Sequence, residues 1–201
     1  MYPVKTSHEL YDEIIGYLHL LYDLPDTFYY HLVAIGILQS WLKPILKAVF
    51  YLKFYAKKGS GKTSFLEGLA AISRHGFLAG NISSSSIART TEKYDLSLFA
   101  DEIDVKNKSK DNETYLVFRQ GYRPGNPYVR LKETRSGYEE ELFDVYGFKA
   151  FSVYSDVDKA LNDRSLGIPL RASRDKTLPI LNLYKDRFGQ PIFEDLFFWY
   201  M

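Results

Sequence analysis

The chain has no cysteine, only two methionines and two tryptophans, and no long apolar run. Without cysteine it can form no disulfide, thiolate zinc site, iron–sulfur cluster or cysteine nucleophile, which is typical of an intracellular protein. The longest uncharged segment, residues 27–42, is shorter than the roughly 20 apolar residues that a bilayer-spanning helix needs. Residues 1–12 lack the basic and then apolar pattern of a secretion signal. We therefore expect a cytoplasmic protein without a membrane partner.

A large net charge is also absent, because 26 lysines and arginines nearly balance 25 aspartates and glutamates. The field of the whole molecule therefore cannot draw it to nucleic acid, and any such binding needs a local basic patch. The 201 residues are 46% hydrophobic, which is enough to bury a sizeable core, and their number fits one domain. Within this single domain we expect an N-terminal helical segment, residues 1–43, packed on a main region, residues 44–201.

Hydrophobic spacing predicts the order of helices and strands. Two runs with helical spacing precede residue 43, and Pro25 separates them. Segment 48–55 is rich in β-branched and aromatic residues and predicts a strand, and segment 65–72 predicts a helix that Gly76 ends. Further along, the pattern predicts a helix over about 83–93, a buried strand at 96–100, a hairpin within 128–146 and a strand at 148–154. The predicted fold class is α/β, a mainly parallel sheet with helices on both faces and an inserted β-hairpin.

Residues 56–63, with the sequence AKKGSGKT, are the segment most informative about chemistry. They fit the phosphate-loop spacing of glycine, four residues and Gly-Lys-Thr, except that Ala56 replaces the first glycine. Gly59 and Gly61 allow the backbone to curl so that successive amides face phosphate oxygens at a helix start. A predicted strand before the motif and a helix after it are the context that such a loop requires. The expected nucleotide-binding residues of this loop are Lys58, Gly59, Ser60, Gly61, Lys62, Thr63 and Ser64.

A triphosphate site also needs groups for the metal ion and for the attacking water. Lys62 is placed to reach the β and γ phosphates, and the Thr63 hydroxyl to hold Mg²⁺. The later segment LFADEID supplies two adjacent carboxylates at the end of a buried strand. Asp101 is the predicted magnesium residue, and Glu102 is the predicted general base, with Asp104 as an outer-shell alternative. Alone, this segment also fits a solvated acidic turn.

The pairing of AKKGSGKT with FADEID resembles the additional-strand class of P-loop ATPases, which includes AAA+ proteins and superfamily three helicases. Over about residues 29–171, the chain is similar in the order and spacing of its segments to the P-loop domain of phage and plasmid primase-helicase-like proteins. The segments are GKTSFLEGLA, NISSSSIART, LFADEID, FRQGYRPGNPYVRL, FDVYGFKAF and LNDRSLGIPL. This resemblance implies a doubly wound sheet, ATP and Mg²⁺ as cofactors, and assembly into a ring or filament on DNA.

The same resemblance implies roles for two more positions. Arg164, in LNDRSLGIPL, corresponds to the arginine that reaches the γ-phosphate of a neighbouring subunit in such assemblies. Arg171 and Arg174 are alternatives for this role, and an arginine that caps or solvates a loop is the alternative interpretation of Arg164. The polar residue that holds the attacking water is expected at Ser155 or Ser152, where related ATPases more often have Asn or Thr.

A local basic patch lies between residues 119 and 135, where five basic residues accompany one acidic residue. Tyr122 and Tyr128 lie among these charges, a composition in which phosphate pairing and base stacking act together on a single strand. The following acidic residues 139–141 weaken the field, and a merely solvated hairpin is the alternative interpretation. The expected nucleic-acid contacts are Arg123, Arg130, Lys132 and Arg135.

These motifs together predict Mg²⁺-dependent ATP hydrolysis by a homo-oligomeric DNA helicase or DNA-remodelling motor that replicates a mobile element or virus. The partner is single- or double-stranded DNA. The alternative is a regulatory P-loop switch ATPase that acts on a protein partner without DNA. A small-molecule kinase is less well supported, because Glu102 suits the activation of water.

Overall fold

A computed structural model describes residues 5–57, 59–81, 84–101, 113–135, 137–154, 157–171 and 189–201. Within these ranges the chain forms seven α-helices and seven β-strands. The helices are α1 (Ser7–Leu21), α2 (Thr27–Leu42), α3 (Lys62–Ile72), α4 (Ser84–Tyr94), α5 (Glu113–Arg119), α6 (Lys159–Asn162) and α7 (Gln190–Tyr200). The strands are β1 (Tyr51–Ala56), β2 (Gly76–Leu78), β3 (Ser97–Ala100), β4 (Tyr128–Thr134), β5 (Gly137–Phe143), β6 (Lys149–Val153) and β7 (Ser165–Leu170).

Five of the described strands form one parallel sheet in the order β2-β3-β6-β1-β7. The central strand β1 pairs with β6 and β7, so that Phe54 lies opposite Ser152 on one side and Ile168 on the other. On its other edge β6 pairs with β3, and Ala100 lies opposite Phe151. Because all five strands are parallel, the carboxyl ends of β1, β3, β6 and β7 lie along the same edge of the sheet.

Helices cover both faces of this sheet, as the sequence pattern predicts. On the first face, Leu52 and Phe54 of β1 pack among apolar side chains from α1, α2, α3 and α7. On the second face, Tyr51 and Phe151 pack with apolar side chains from α4, α5 and α6. Burial on both faces explains why the central strands are nearly continuous apolar runs. The chain is therefore an α/β protein.

Local capping signals and apolar stripes fix the two N-terminal helices. Thr6 and Glu9 form a capping box at the start of α1, and Asp26 caps α2 by accepting a hydrogen bond from the Phe28 amide. Leu10 and Ile14, one turn apart on α1, are fully buried against the first face. In the described part of the chain, no helix is long and apolar enough to cross a membrane.

The predicted end of the helix that follows the phosphate loop is wrong. Helix α3 ends at Ile72, Ser73 is extended, and Gly76 begins β2 instead of ending the helix. A Cβ atom at Gly76 would lie 2.0 Å from the carbonyl oxygen of Ala70. Glycine therefore allows β2 to pass close to the end of α3, a reason that differs from helix capping.

Candidate functional site

The loop between β1 and α3 has the curled backbone that its glycines predict. Gly59 and Gly61 have φ angles of 81° and 77°, which lie in the left-handed region. Gly61 is the N-cap of α3, and the Ser60 amide donates to the carbonyl of Lys57 across the turn at 3.2 Å. The first amides of α3 have no partner within the helix, and such amides form an anion site together with the helix dipole. Ser64 lies exposed in this first turn.

Asp101 brings the loop and the end of β3 together. Its carboxylate accepts a hydrogen bond from the Thr63 hydroxyl and lies 3.1 Å from the Lys62 ammonium. On β6, which lies between β1 and β3, the Ser152 hydroxyl donates to the same carboxylate at 3.1 Å. Three side chains that the sequence assigns to phosphate and metal binding therefore meet at the carboxyl edge of the sheet.

The electrostatic environment of this cluster keeps both Asp101 and Lys62 charged. Burial by itself raises the pKa of Asp101, but hydrogen bonds from Thr63 and Lys62 outweigh burial and lower it. Burial by itself lowers the pKa of Lys62, but its hydrogen bonds to Tyr154 and Asp101 outweigh burial and raise it. A carboxylate and an ammonium thus face the loop at neutral pH.

Tyr154 belongs to this cluster, and sequence reasoning missed it. The Lys62 ammonium donates to its hydroxyl at 2.9 Å and lies 4.3 Å from the centroid of its ring. Tyr154 follows β6 directly, at the strand end where the sequence prediction considered only serines. A polar group is expected at a strand end beside the phosphate loop. This expectation could have identified Tyr154.

A cavity of about 620 Å³ opens beside the phosphate loop, a volume typical of small-molecule sites. The ends of three neighbouring strands and the loop itself line it, through Tyr55, Ala56, Lys57, Ser60, Val153, Tyr154, Pro169, Leu170 and Arg171. Ser60 is 5% exposed, and its side-chain oxygen has no hydrogen-bond partner among the described residues. A buried hydroxyl of this kind needs a partner, and a phosphate oxygen is one. The residues present therefore fit a bound triphosphate with Mg²⁺.

Comparisons with known proteins identify no family for this chain, and the solved structures that they find are distant. No protein-family model matches the chain, and no curated protein matches it in sequence. A JCV helicase structure with a bound acetamide compound has 16% identity and a TM-score of 0.46, over 96% of this chain and 54% of that one. C. elegans PCH-2 has 15% identity and a TM-score of 0.45, over 80% of this chain and 47% of that one. The apo C-terminal region of NrS-1 has 15% identity and a TM-score of 0.48, over 98% of this chain and 45% of that one.

The chain thus spans about half the length of these solved structures. At such low identities and TM-scores, the likeness does not transfer an activity. The function is therefore inferred from the site itself.

Arg164 lies at the amino ends of the parallel strands, whereas the phosphate loop lies at their carboxyl ends. Arg164 immediately precedes β7, and its carbonyl accepts a hydrogen bond from the amide of Tyr51 at 2.8 Å. Its guanidinium donates to the carbonyl of Arg119 and lies 4.0 Å from the ring centroid of Tyr122. The whole length of β7 separates Arg164 from the loop of its own chain.

Four other residues of the predicted site fall outside the described residues. They are Lys58, Glu102, Ser155 and the alternative carboxylate Asp104. Arg174, one alternative for the arginine that reaches a neighbouring subunit, also lies outside the described residues. Arg171, the other alternative, follows β7 and lines the cavity.

The basic side chains on the hairpin β4–β5 have a carboxylate among them. Arg130 donates to Glu141 at 2.6 Å, and the Lys132 ammonium lies 3.6 Å from the same carboxylate. Arg89 of α4 also pairs with Glu141, at 3.2 Å. The hydrogen bond from Arg130 is the main cause of the lowered pKa of Glu141. Part of the positive charge predicted for this patch is therefore compensated within the chain.

The other face of the hairpin carries exposed apolar side chains together with the exposed Glu133 and Glu140. Val129 lies opposite Leu142 in the antiparallel register, and both side chains are exposed. Leu131 and Tyr138 on the same face are 63% and 73% exposed. The two remaining expected nucleic-acid contacts lie away from this carboxylate: Arg123 stacks on Tyr122 before β4, and Arg135 is exposed in the hairpin turn.

Proposed function

We propose that this chain is a P-loop ATPase that binds ATP with Mg²⁺ at the phosphate loop and hydrolyses it. The observation that carries this proposal is the meeting of Lys62, Thr63 and Asp101 beside a cavity at the carboxyl edge of the sheet. The sheet order, with β6 inserted between β1 and β3, supports membership of the additional-strand class.

Each residue of the site has a defined role in this proposal. Lys62 and the amides at the start of α3 bind the phosphates, and the Thr63 hydroxyl and Asp101 hold the metal ion. Mg²⁺, when bound, neutralises charge on the phosphates. Ser152 orients Asp101 through its hydrogen bond. Glu102, directly after Asp101, deprotonates the attacking water, and Ser155 is proposed to hold that water.

We further propose that hydrolysis drives a DNA helicase or DNA-remodelling motor in the replication of a mobile element or virus. In a homo-oligomer, Arg164 contacts the nucleotide of the neighbouring subunit. Its place at the start of β7, far from its own loop, argues against contact with the nucleotide of its own chain, as a role in trans requires. Such an arginine is worth about 10³ to 10⁵ in rate.

The hairpin gives specific support to the second candidate, a regulatory ATPase that acts on a protein. Glu141 pairs with Arg130, Lys132 and Arg89 and so reduces the charge available to a phosphate backbone. The opposite face offers exposed apolar side chains, a composition that is common where proteins contact each other.

An ATPase assay with and without single-stranded DNA tests the proposal and separates the candidates. We expect turnover that disappears when EDTA removes Mg²⁺ and that rises several-fold with single-stranded DNA, as in DNA-driven motors. Turnover that only a protein stimulates favours the regulatory ATPase. Transfer of phosphate to a small acceptor favours a kinase, and the complete absence of ATP turnover contradicts the proposed function.

Two arginines of the hairpin should differ in their contribution to DNA binding. We expect Arg135→Ala to weaken binding to single-stranded DNA more than Arg130→Ala does, because Glu141 already compensates Arg130. Losing one phosphate contact should reduce the slope of log affinity against log salt by about 0.7. Fluorescence anisotropy with a labelled oligonucleotide at several salt concentrations measures both quantities. A larger loss with Arg130→Ala, or no change with either variant, argues against a DNA contact at the hairpin turn.

A further inference from the structure

Tyr22 connects the N-terminal helices to the phosphate loop from outside the motif. It is the C-cap of α1, and its side chain is 6% exposed. Its hydroxyl donates to the carbonyl of Ser60 in the loop and lies 2.8 Å from the carbonyl of Arg171, directly after β7. A phenol has a single hydrogen to donate, so the two carbonyls share one donor. One atom therefore ties the loop to the end of β7.

The ring of Tyr22 supports the same turn by packing. It contacts Phe65 of α3, with ring centroids 4.7 Å apart. Its edge lies 3.5 Å from the position that a Cβ atom would take at Gly61. Burial raises the pKa of Tyr22 to about 12, so that the hydroxyl remains a neutral donor at physiological pH.

A second tyrosine fixes the backbone of Tyr22. The hydroxyl of Tyr30 on α2 donates to the Tyr22 carbonyl at 2.9 Å and accepts from the Leu24 amide at 2.9 Å. The bonds therefore run without a break from α2, through the main chain and side chain of Tyr22, to the phosphate loop. The N-terminal helices thus restrain the turn that contains the candidate phosphate-binding amides.

We propose that Tyr22 is a positioning residue for the nucleotide and that it couples the phosphate loop to the end of β7. This inference rests on the proposed nucleotide function. By holding the Ser60 carbonyl, Tyr22 keeps the turn in the conformation in which Gly61 caps α3. By holding the Arg171 carbonyl, it fixes the wall of the cavity relative to that turn. Preorganisation of this kind strengthens binding, because less order is lost when the ligand binds.

Tyr22→Phe tests the proposal against a matched control, Tyr17→Phe. Tyr17 is a second buried tyrosine, within α1, and its hydroxyl donates to a carbonyl of α3, that of Gly68, at 2.9 Å. Both variants thus remove a phenol hydroxyl that donates to a backbone carbonyl after β1, that of Ser60 or of Gly68, but only the Ser60 carbonyl lies in the phosphate loop. The measurements are the Kd of a fluorescent ATP analogue, kcat and KM, the melting temperature, and amide hydrogen exchange of residues 59–63 without nucleotide.

For Tyr22→Phe we expect Kd and KM to rise about threefold to tenfold, the range that one hydrogen bond contributes. We expect kcat to change less than about twofold, because the chemical groups remain in place. Exchange of the loop amides should be faster in this variant. For Tyr17→Phe we expect a similar fall in melting temperature with Kd, KM and loop exchange unchanged.

The results separate failure of this inference from failure of the proposed function. If the wild-type chain binds the ATP analogue and Tyr22→Phe binds it equally well, the inference is wrong and the function stands. Equal losses of affinity in both variants also overturn it, because the effect is then one of general stability. If the wild-type chain binds no nucleotide, the proposed function and the role of Tyr22 in nucleotide binding both fail. In that case, faster amide exchange of residues 59–63 in Tyr22→Phe, and not in Tyr17→Phe, still establishes that Tyr22 restrains the loop.

Discussion

Lys62→Ala is expected to lower kcat/KM for ATP hydrolysis by about 10²- to 10³-fold, the loss typical of removing one preorganised electrostatic contact. The Lys62 ammonium is held at the mouth of the loop by Asp101 at 3.1 Å and by the Tyr154 hydroxyl at 2.9 Å. It is therefore oriented before any phosphate arrives. Alanine removes the positive charge that faces the phosphates and leaves Asp101 without its ion-pair partner in this cluster.

Lys47→Ala is the control for this variant. Lys47 is an exposed lysine that precedes β1, at the end of the strand away from the phosphate loop. The Lys47→Ala variant should retain wild-type turnover in steady-state kinetics. Circular dichroism should show that both variants remain folded. A folded Lys62→Ala protein that hydrolyses ATP at the wild-type rate contradicts the assignment of the loop.

The central part of the site could be predicted from sequence because its determinants are local or follow from strand direction. The spacing of Gly59, Gly61 and Lys62 requires only a strand before it and a helix after it, and both are present. Asp101 lies 38 residues beyond Thr63, yet their contact also follows from the pattern. Carboxyl ends of parallel strands meet at one edge, so a carboxylate that follows a buried strand lies near the loop.

Other parts of the site depend on contacts that no local pattern indicates. The Tyr22 hydroxyl reaches Arg171, 149 residues away, and such a contact depends on how α1 packs on the sheet. Strand β7 was missed because Gly167 and Pro169 are unfavourable in strands, and Pro169 is tolerated because β7 is an edge strand. The pairing of Arg130 with Glu141 depends on the exact register of the hairpin, which the predicted turn alone does not determine.

Asp101→Asn is expected to reduce Mg²⁺-dependent ATP turnover by about 10²- to 10³-fold, because a neutral amide cannot replace the carboxylate beside the metal ion. Asparagine preserves the size of the side chain and can still accept a hydrogen bond from Thr63. Binding of ATP in EDTA should therefore change by less than about threefold, since Lys62 and the loop amides remain. The Mg²⁺-dependent gain in affinity should be lost. Titrations of a fluorescent ATP analogue with and without Mg²⁺ measure the two effects separately.

Asp95→Asn provides a control from the other end of the same strand. Asp95 precedes β3, as Asp101 follows it, and it pairs with Lys43 and with Arg74, the latter at 2.5 Å. Burial by itself raises the pKa of each carboxyl, but hydrogen bonds from the partner side chains outweigh burial and lower both. Each carboxylate therefore contributes stability that is present at neutral pH and is lost as the pH falls through its folded-state pKa. Both variants should weaken the fold at neutral pH, and only Asp101→Asn should abolish the response to Mg²⁺. If Asp95→Asn abolishes that response equally, the effect reports general destabilisation, and Asp101 is not the magnesium residue.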